Sequence, residues 1–306
     1  WDVTTRRVKN LETNLKDPTF LKWSKMGPQL AIGTGKGNLL LYRKDIQKKI
    51  PVLGKHSRKI VCGTWSDDNR LALGSEDKTM TLSNADGDTL EQTELKYPAL
   101  QIQFQGREGG VQKQRGNSGE AGQKSAGGKK LMSSNTISAN MDGKMILLYQ
   151  LDDPDNPIQL AFQKKYGDIV SYKWFGEGFM MIGFSEGYLV VVSTNLDEIG
   201  EEIFSGRFHS EGLVGMAYSN VLQRAATCGD KVIKIVDMTN WKPLKEESMK
   251  LGKDCGKICS MEWTRDGQIL TVGTDAGEVF NFLARMPTVH DACETRVAYL
   301  SSLREI

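Results

Sequence analysis

The chain has 306 residues, enough for one large domain or two small ones with a sizeable buried core. Hydrophobic residues make up 39% and charged residues 25%, which excludes wholesale disorder. The 40 Lys and Arg nearly balance the 38 Asp and Glu, so the chain is not built around a nucleic-acid backbone or an anionic membrane, and no apolar run approaches the roughly 20 residues that a membrane-crossing helix needs.

In chain order, the first predicted elements set a pattern that then recurs. A short strand ends in an aromatic, a polar turn follows, then a small-residue strand ending near glycine, a second turn and a strongly apolar strand. Residues 17–55 give Phe20-Leu21-Lys22-Trp23, Gln29-Leu30-Ala31-Ile32-Gly33 and Leu39-Leu40-Leu41-Tyr42. Residues 56–96 give a strand ending at Trp65, then Leu71-Ala72-Leu73-Gly74 and Thr79-Met80-Thr81-Leu82. In residues 97–164 the strands end at Phe104, Asn140 and Tyr149. Residues 165–208 bring Trp174, Met181-Ile182-Gly183 and Leu189-Val190-Val191-Val192. Residues 209–252 bring Tyr218, Ala226-Thr227-Cys228-Gly229 and Ile233-Lys234-Ile235-Val236. Residues 253–306 bring Trp263, Leu270-Thr271-Val272-Gly273 and Val279-Phe280-Asn281-Phe282.

The aromatic markers Trp23, Trp65, Phe104, Trp174, Tyr218 and Trp263 are spaced by 42, 39, 70, 44 and 45 residues. Four of these intervals match the roughly 40–45 residues of a WD40 blade. The long one contains residues 106–134, which carry eight glycines, six basic and two acidic residues and no aromatic. We read them as a disordered basic insertion, either an arm that touches an acidic partner or a tolerated surface loop. The fold class expected is all-β, a WD40-type β-propeller of about six four-stranded blades plus the end of a preceding blade, in a ring of seven or eight. Trp23, Trp65, Trp174 and Trp263, with Gly33, Gly74, Gly183, Gly229 and Gly273, are its structural markers. The dipeptide that ends a blade's third strand survives only at Trp1-Asp2. That makes residues 1–16 the end of a preceding blade, with 3–16 its outer strand, and the chain the C-terminal part of a propeller.

Chemistry is sparse. Gly33-Thr34-Gly35-Lys36-Gly37 resembles a dinucleotide loop but leads into a strand, whereas phosphate binding there needs a helix N-terminus. Cys255, Cys259, His290 and Cys293 are a possible zinc set, but a strand position for Cys259 and the loose spacing favour ordinary cysteines. The odd count of five cysteines fits a reduced compartment. No nucleophile-and-base motif appears, so no catalytic residue, metal or cofactor is expected. Binding is expected on one face, from loops between second and third strands and those before each first strand: Lys36, His56, Arg58, Asp77, Lys78, Lys144, Glu186, His209, Glu211, Asp230 and Asp275. His56 and Asp77, from Gly54-Lys55-His56 and Ser75-Glu76-Asp77, also fit a hydrogen-bonded network within a blade.

More idiosyncratic runs point further. Gly37-Asn38-Leu39-Leu40-Leu41-Tyr42, Lys49-Ile50-Pro51-Val52-Leu53-Gly54-Lys55-His56, Met181-Ile182-Gly183-Phe184-Ser185 and Thr295-Arg296-Val297-Ala298-Tyr299-Leu300 are among them. On these the chain resembles the WD repeat protein 19 family, the WD-repeat subunit of intraflagellar transport complex A. The resemblance implies a first propeller in a coat-like protein with a second propeller and a helical-repeat arm. It implies a non-catalytic subunit for retrograde ciliary transport and ciliary entry of membrane proteins, in cytoplasm, cilium or flagellum and basal body. Implied partners are other intraflagellar transport A subunits, with transport B trains, dynein-driven trains and membrane cargo beyond them. The alternative is a recognition module that captures a cargo tail or ubiquitin in another coat-like trafficking complex.

Overall fold

The computed structural model describes residues 10–105, 135–176, 178–229, 232–252, 255–284, 290–293 and 296–299. Trp1-Asp2, Asp230 and the basic insertion 106–134 lie outside these. The described residues are strand, turn and loop, apart from a 3-10 turn at Lys164–Tyr166. Their strands fall into two compact units, β1–β12 and β13–β25.

The first unit holds three antiparallel sheets, each a meander in chain order. Sheet one is β1 (Pro18–Trp23), β2 (Gln29–Thr34), β3 (Leu39–Arg43) and β4 (Lys48–Val52). Sheet two is β5 (Ile60–Trp65), β6 (Leu71–Ser75), β7 (Thr79–Ser83) and β8 (Thr89–Glu94). Sheet three is β9 (Ala99–Phe104), β10 (Thr136–Met141), β11 (Met145–Gln150) and β12 (Asp153–Ala161). The second strands β2, β6 and β10 are buried throughout, which is why they read as small and apolar residues without alternation.

The sheets stack face to face, with β5 packed against both β1 and β9. Ala31, Leu39 and Leu41 of sheet one interlock with Ile60, Trp65, Leu71 and Leu73 of sheet two. Cys62, Met80 and Leu82 do the same with Ile102, Ile137 and Leu147 of sheet three. The recurring glycine marks where a neighbouring sheet comes too close for any side chain. A Cβ at Gly33 would lie 2.8 Å from Ile60 Cβ, and one at Gly74 2.8 Å from Ile102 Cδ1. Trp65 is buried and its indole N–H donates to Lys22 O at 3.1 Å, stitching sheet two to sheet one.

Trp23, by contrast, is 46% exposed. It shares with Leu21, Leu30, Ile32, Leu40 and Tyr42 the face of sheet one opposite sheet two. Residues 10–16 carry no strand; Leu11 and Leu15 pack onto Leu30, Ile32, Leu40 and Tyr42 of that face. The described part of the expected outer strand 3–16 is therefore an irregular segment lying on the sheet.

The second unit begins with sheet four: β13 (Ile169–Phe175), β14 (Phe179–Phe184), β15 (Tyr188–Ser193) and β16 (Glu202–Arg207). Sheet five is β17 (Gly215–Ser219), β18 (Arg224–Gly229), β19 (Val232–Asp237) and β20 (Lys242–Lys250). Sheet six has three strands among the described residues: β21 (Ile258–Trp263), β22 (Ile269–Thr274) and β23 (Val279–Leu283). A separate hairpin follows, β24 (His290–Cys293) and β25 (Arg296–Tyr299).

β17 packs against both β13 and β21, repeating the arrangement of the first unit. A Cβ at Gly183 would come within 2.6 Å of Leu213 Cδ2, and the core between sheets five and six joins Ala217, Ala226 and Ile235 to Met261, Trp263 and Val272. The last strand of sheet six departs from the pattern. β15 is buried along nearly its whole length, whereas in β23 Val279 is 65% and Leu283 50% exposed.

Candidate interaction face

The first unit brings its sequence-selected loops to one edge through backbone hydrogen bonds. His56 N donates to Gly37 O (2.9 Å), Glu76 N to Lys59 O (3.0 Å), Leu95 N to Lys78 O (2.7 Å) and Asp142 N to Pro98 O (3.0 Å). The Gly37 and Lys78 bonds tie a turn between second and third strands to the segment leading to the next sheet, and the Glu76 and Asp142 bonds tie such a turn to the segment entering its own sheet. At Gly37 the backbone is left-handed, and a Cβ would sit 2.0 Å from His56 O, so this junction requires glycine. Lys36, Arg58, Lys78 and Lys144 project from this edge as exposed cations. Lys144 is paired with Asp142 at 3.0 Å and lies 4.6 Å from the centre of the Tyr97 ring.

His56 and Asp77 lie beneath these cations. The His56 side chain is fully buried and that of Asp77 nearly so. His56 Nδ1 is 3.2 Å from Asp77 Oδ2 and 3.0 Å from Thr79 Oγ1, and Nε2 is 3.0 Å from Thr81 Oγ1. An ionised carboxylate only accepts, so Nδ1–H donates to Asp77 and Nε2 accepts from Thr81. Asp77 also accepts from Ser57 N (2.9 Å), Thr79 N (3.0 Å) and Thr79 Oγ1 (2.7 Å). Burial alone would raise the Asp77 pKa; these donors and His56 outweigh it and hold the carboxyl down at about 2. Burial likewise lowers the His56 pKa despite Asp77, which keeps the ring neutral. Both side chains therefore order the face from beneath it. Lys55 is also buried, donating to Gly87 O (2.9 Å) and Thr89 Oγ1 (2.7 Å). Burial brings its pKa down to about 8, partly offset by Asp88.

The second unit repeats the design with other residues, among them exposed acids. Phe208 N donates to Gly187 O at 2.8 Å, bringing the β14–β15 turn to the segment that carries His209 and Glu211. Glu186 and Glu211 are exposed there, and Asp275 is exposed at the corresponding β22–β23 turn, where its Oδ1 accepts from Lys257 N at 2.7 Å. His209 is buried, with Nε2 3.0 Å from Thr227 Oγ1, and serves the fold as His56 does. Thr79, Thr81 and Thr227 were not singled out by the sequence reading. A threonine on the third strand facing the lead-in histidine, as at Thr81, was the available signal.

Among the described residues no group of three or more His, Cys, Asp or Glu side chains is placed to hold a metal ion. Of the possible zinc set, the Cys259 thiol is exposed and directed at Lys257 O, 3.6 Å away. The side chains of His290 and Cys293 lie outside the described set. Burial pushes the Cys62 thiol up to about 12 and that of Cys228 up to about 11, so both are core residues rather than nucleophiles.

Comparison with known proteins bears on this arrangement. The family described as WDR19 first beta-propeller matches residues 1–277. WD repeat-containing protein 19 of Mus musculus is 44% identical over 313 aligned residues, covering 100% of this chain and 22% of the relative. Its Homo sapiens counterpart is 41% identical with the same coverage. WD repeat-containing protein dyf-2 of Caenorhabditis elegans is 29% identical, covering 100% of the chain and 21% of that protein. The chain thus spans about a fifth of the length of these relatives. Among solved structures, the Myceliophteria thermophila Cps50 (Swd1) β-propeller domain aligns with a TM-score of 0.65 at 12% identity, covering 87% of this chain and 83% of that one. The C-terminal WD40 domain of Sif2 aligns at 0.63 and 18% identity, covering 87% and 66%. At such identities the likeness concerns fold alone: a WD40-type β-propeller.

Proposed function

From a chain that belongs to the WDR19 first β-propeller family, we propose a non-catalytic structural and protein-interaction part of an intraflagellar transport A complex, serving retrograde ciliary transport and entry of membrane proteins into the cilium. The observation that carries this is the match along the chain to one family's propeller, joined to an edge where buried hydrogen bonds hold exposed charges in place. Such an edge suits recognition, because little side-chain and loop freedom is lost when a partner docks on preordered turns. The partners proposed are other intraflagellar transport A subunits, with trains and membrane cargo reached through them. The location proposed is the cytoplasm, basal body and cilium. No helix among the described residues is long and apolar enough to cross a membrane.

A pull-down with the purified chain from ciliated-cell extract tests this reading. Recovery of transport A subunits without cargo is the expected result. Recovery of a cargo tail or ubiquitin alone would favour the recognition-module alternative, and recovery of neither would contradict both.

A further inference from the structure

A groove of about 400 Å³ runs between the outer strands of sheets two and three, with Leu95, Lys96, Met141 and Met145 at its end nearest the turn edge. Its floor is Met141, Met145, Leu147 and Tyr149; its walls are residues 91–96, from β8 into the following turn, and β12. The β12 wall has an unusual shape. Leu148 pairs with Ile158 and Gln150 with Asp153, so residues 154–157 bulge outward opposite the single position Tyr149. Pro154 and Pro157 bound that bulge, and neither can donate a backbone hydrogen bond. Asn156 Nδ2 donates to Asp153 Oδ1 at 2.9 Å and closes it. The Tyr149 hydroxyl reaches across to donate to Glu91 Oε1.

Three carboxylates, Glu91, Glu94 and Asp155, border the groove against one cation, Lys96. Among the described residues no cation forms an ion pair with any of the three. Among the described residues β8 is the last strand of its sheet, with no strand paired to its outer edge. We infer that the groove between β8 and β12 docks an extended segment of a partner protein in which basic and apolar residues alternate. Apolar side chains enter over Met145, Leu147 and Tyr149, basic ones meet Glu91 and Asp155, and the segment's backbone runs along β8. Charge complementarity selects this occupant: an acidic or neutral strand would leave the carboxylates without counter-charge in a half-enclosed cleft.

The test uses the purified chain and a short fluorescein-labelled peptide alternating arginine and leucine, read by fluorescence anisotropy. A second peptide has serine in place of leucine. The wild-type protein is expected to bind the first saturably and the second about fivefold or more weakly, since burying each apolar side chain contributes on the order of a factor of ten. Glu91→Gln with Asp155→Asn is expected to weaken the arginine–leucine peptide roughly tenfold. Asp67→Asn with Asp86→Asn makes the same charge change outside the groove and is expected to alter binding less than about twofold. Asp155→Asn alone, in the exposed bulge, guards against a folding artefact and is expected to weaken binding about threefold. No binding by the wild type, equal binding by the groove variant, or an equal loss in the control pair would overturn the inference.

Discussion

Sheet two and sheet six come from the same sequence pattern and end in different states. Both read as an aromatic-ended strand, a glycine-ended strand and an apolar third strand. In sheet two the third strand β7 is almost wholly buried, because Met80 and Leu82 pack into the core shared with sheet three, buried His56 lies against Thr81 on the other face, and β8 closes its edge. In sheet six the third strand β23 exposes Val279 and Leu283, and no fourth strand is paired to it among the described residues. The period thus sets where strands form, while burial is set by what lies against each face. Stability should accordingly be concentrated in sheet two, which the following substitutions can break or sharpen.

The largest expected effect is at the tryptophan that ends the first strand. Trp65→Ala removes a buried indole and its bond to Lys22 O, and should cost about 3–5 kcal/mol in denaturant unfolding. Trp263→Ala should cost about 1 kcal/mol less, because the Trp263 indole N–H has no partner among the described residues. Equal losses would mean that sheet six is as tightly supported as sheet two.

Next in size is the polar network. His56→Gln takes one of its donors from Asp77 and the buried acceptor from Thr81, and should cost about 1–3 kcal/mol at pH 7.5. The pH dependence has a definite sign. Burial lowers the His56 pKa, so the unfolded chain binds the proton first as pH falls through about 6.5, and the wild type loses stability there. The gap between wild type and variant should therefore narrow between pH 7 and pH 5. Asp77, held at about 2, gives its own loss only below about pH 4. A gap that widens in acid would show a charged His56–Asp77 ion pair to be the stabilising form.

The smallest effect is expected on β23. Val279→Thr and Leu283→Thr should each change stability by less than about 0.5 kcal/mol, because both side chains already face solvent. A cost above about 1.5 kcal/mol at either site would show that β23 is covered in the folded protein.

Much of the fold was legible because strand alternation and a fixed period are local signals. The glycines Gly33 and Gly74 could be placed from spacing alone, since close approach between sheets leaves them no side-chain room. The junction of His56 with Asp77 was legible from two short motifs. Its burial was not, because that depends on Thr79 and Thr81 across the sheet. The exposure of Trp23 was likewise hidden: its text matches Trp65, but the sheet face it occupies is covered only in part, by Leu11 and Leu15. The groove at Tyr149 escaped the periodic reading altogether, because it arises from a four-residue bulge that breaks the register.

The central claim is that ordered sheets hold a charged edge which does the recognising. Reversing Lys36, Arg58, Lys78 and Lys144 together to Glu, and measuring binding to purified transport A subunits beside a thermal melt, tests it most directly. A melt unchanged within about 2 °C with binding weakened tenfold or more, and weakened further by salt in the wild type, is the result predicted. A variant that melts like the wild type and binds with the same affinity would contradict it.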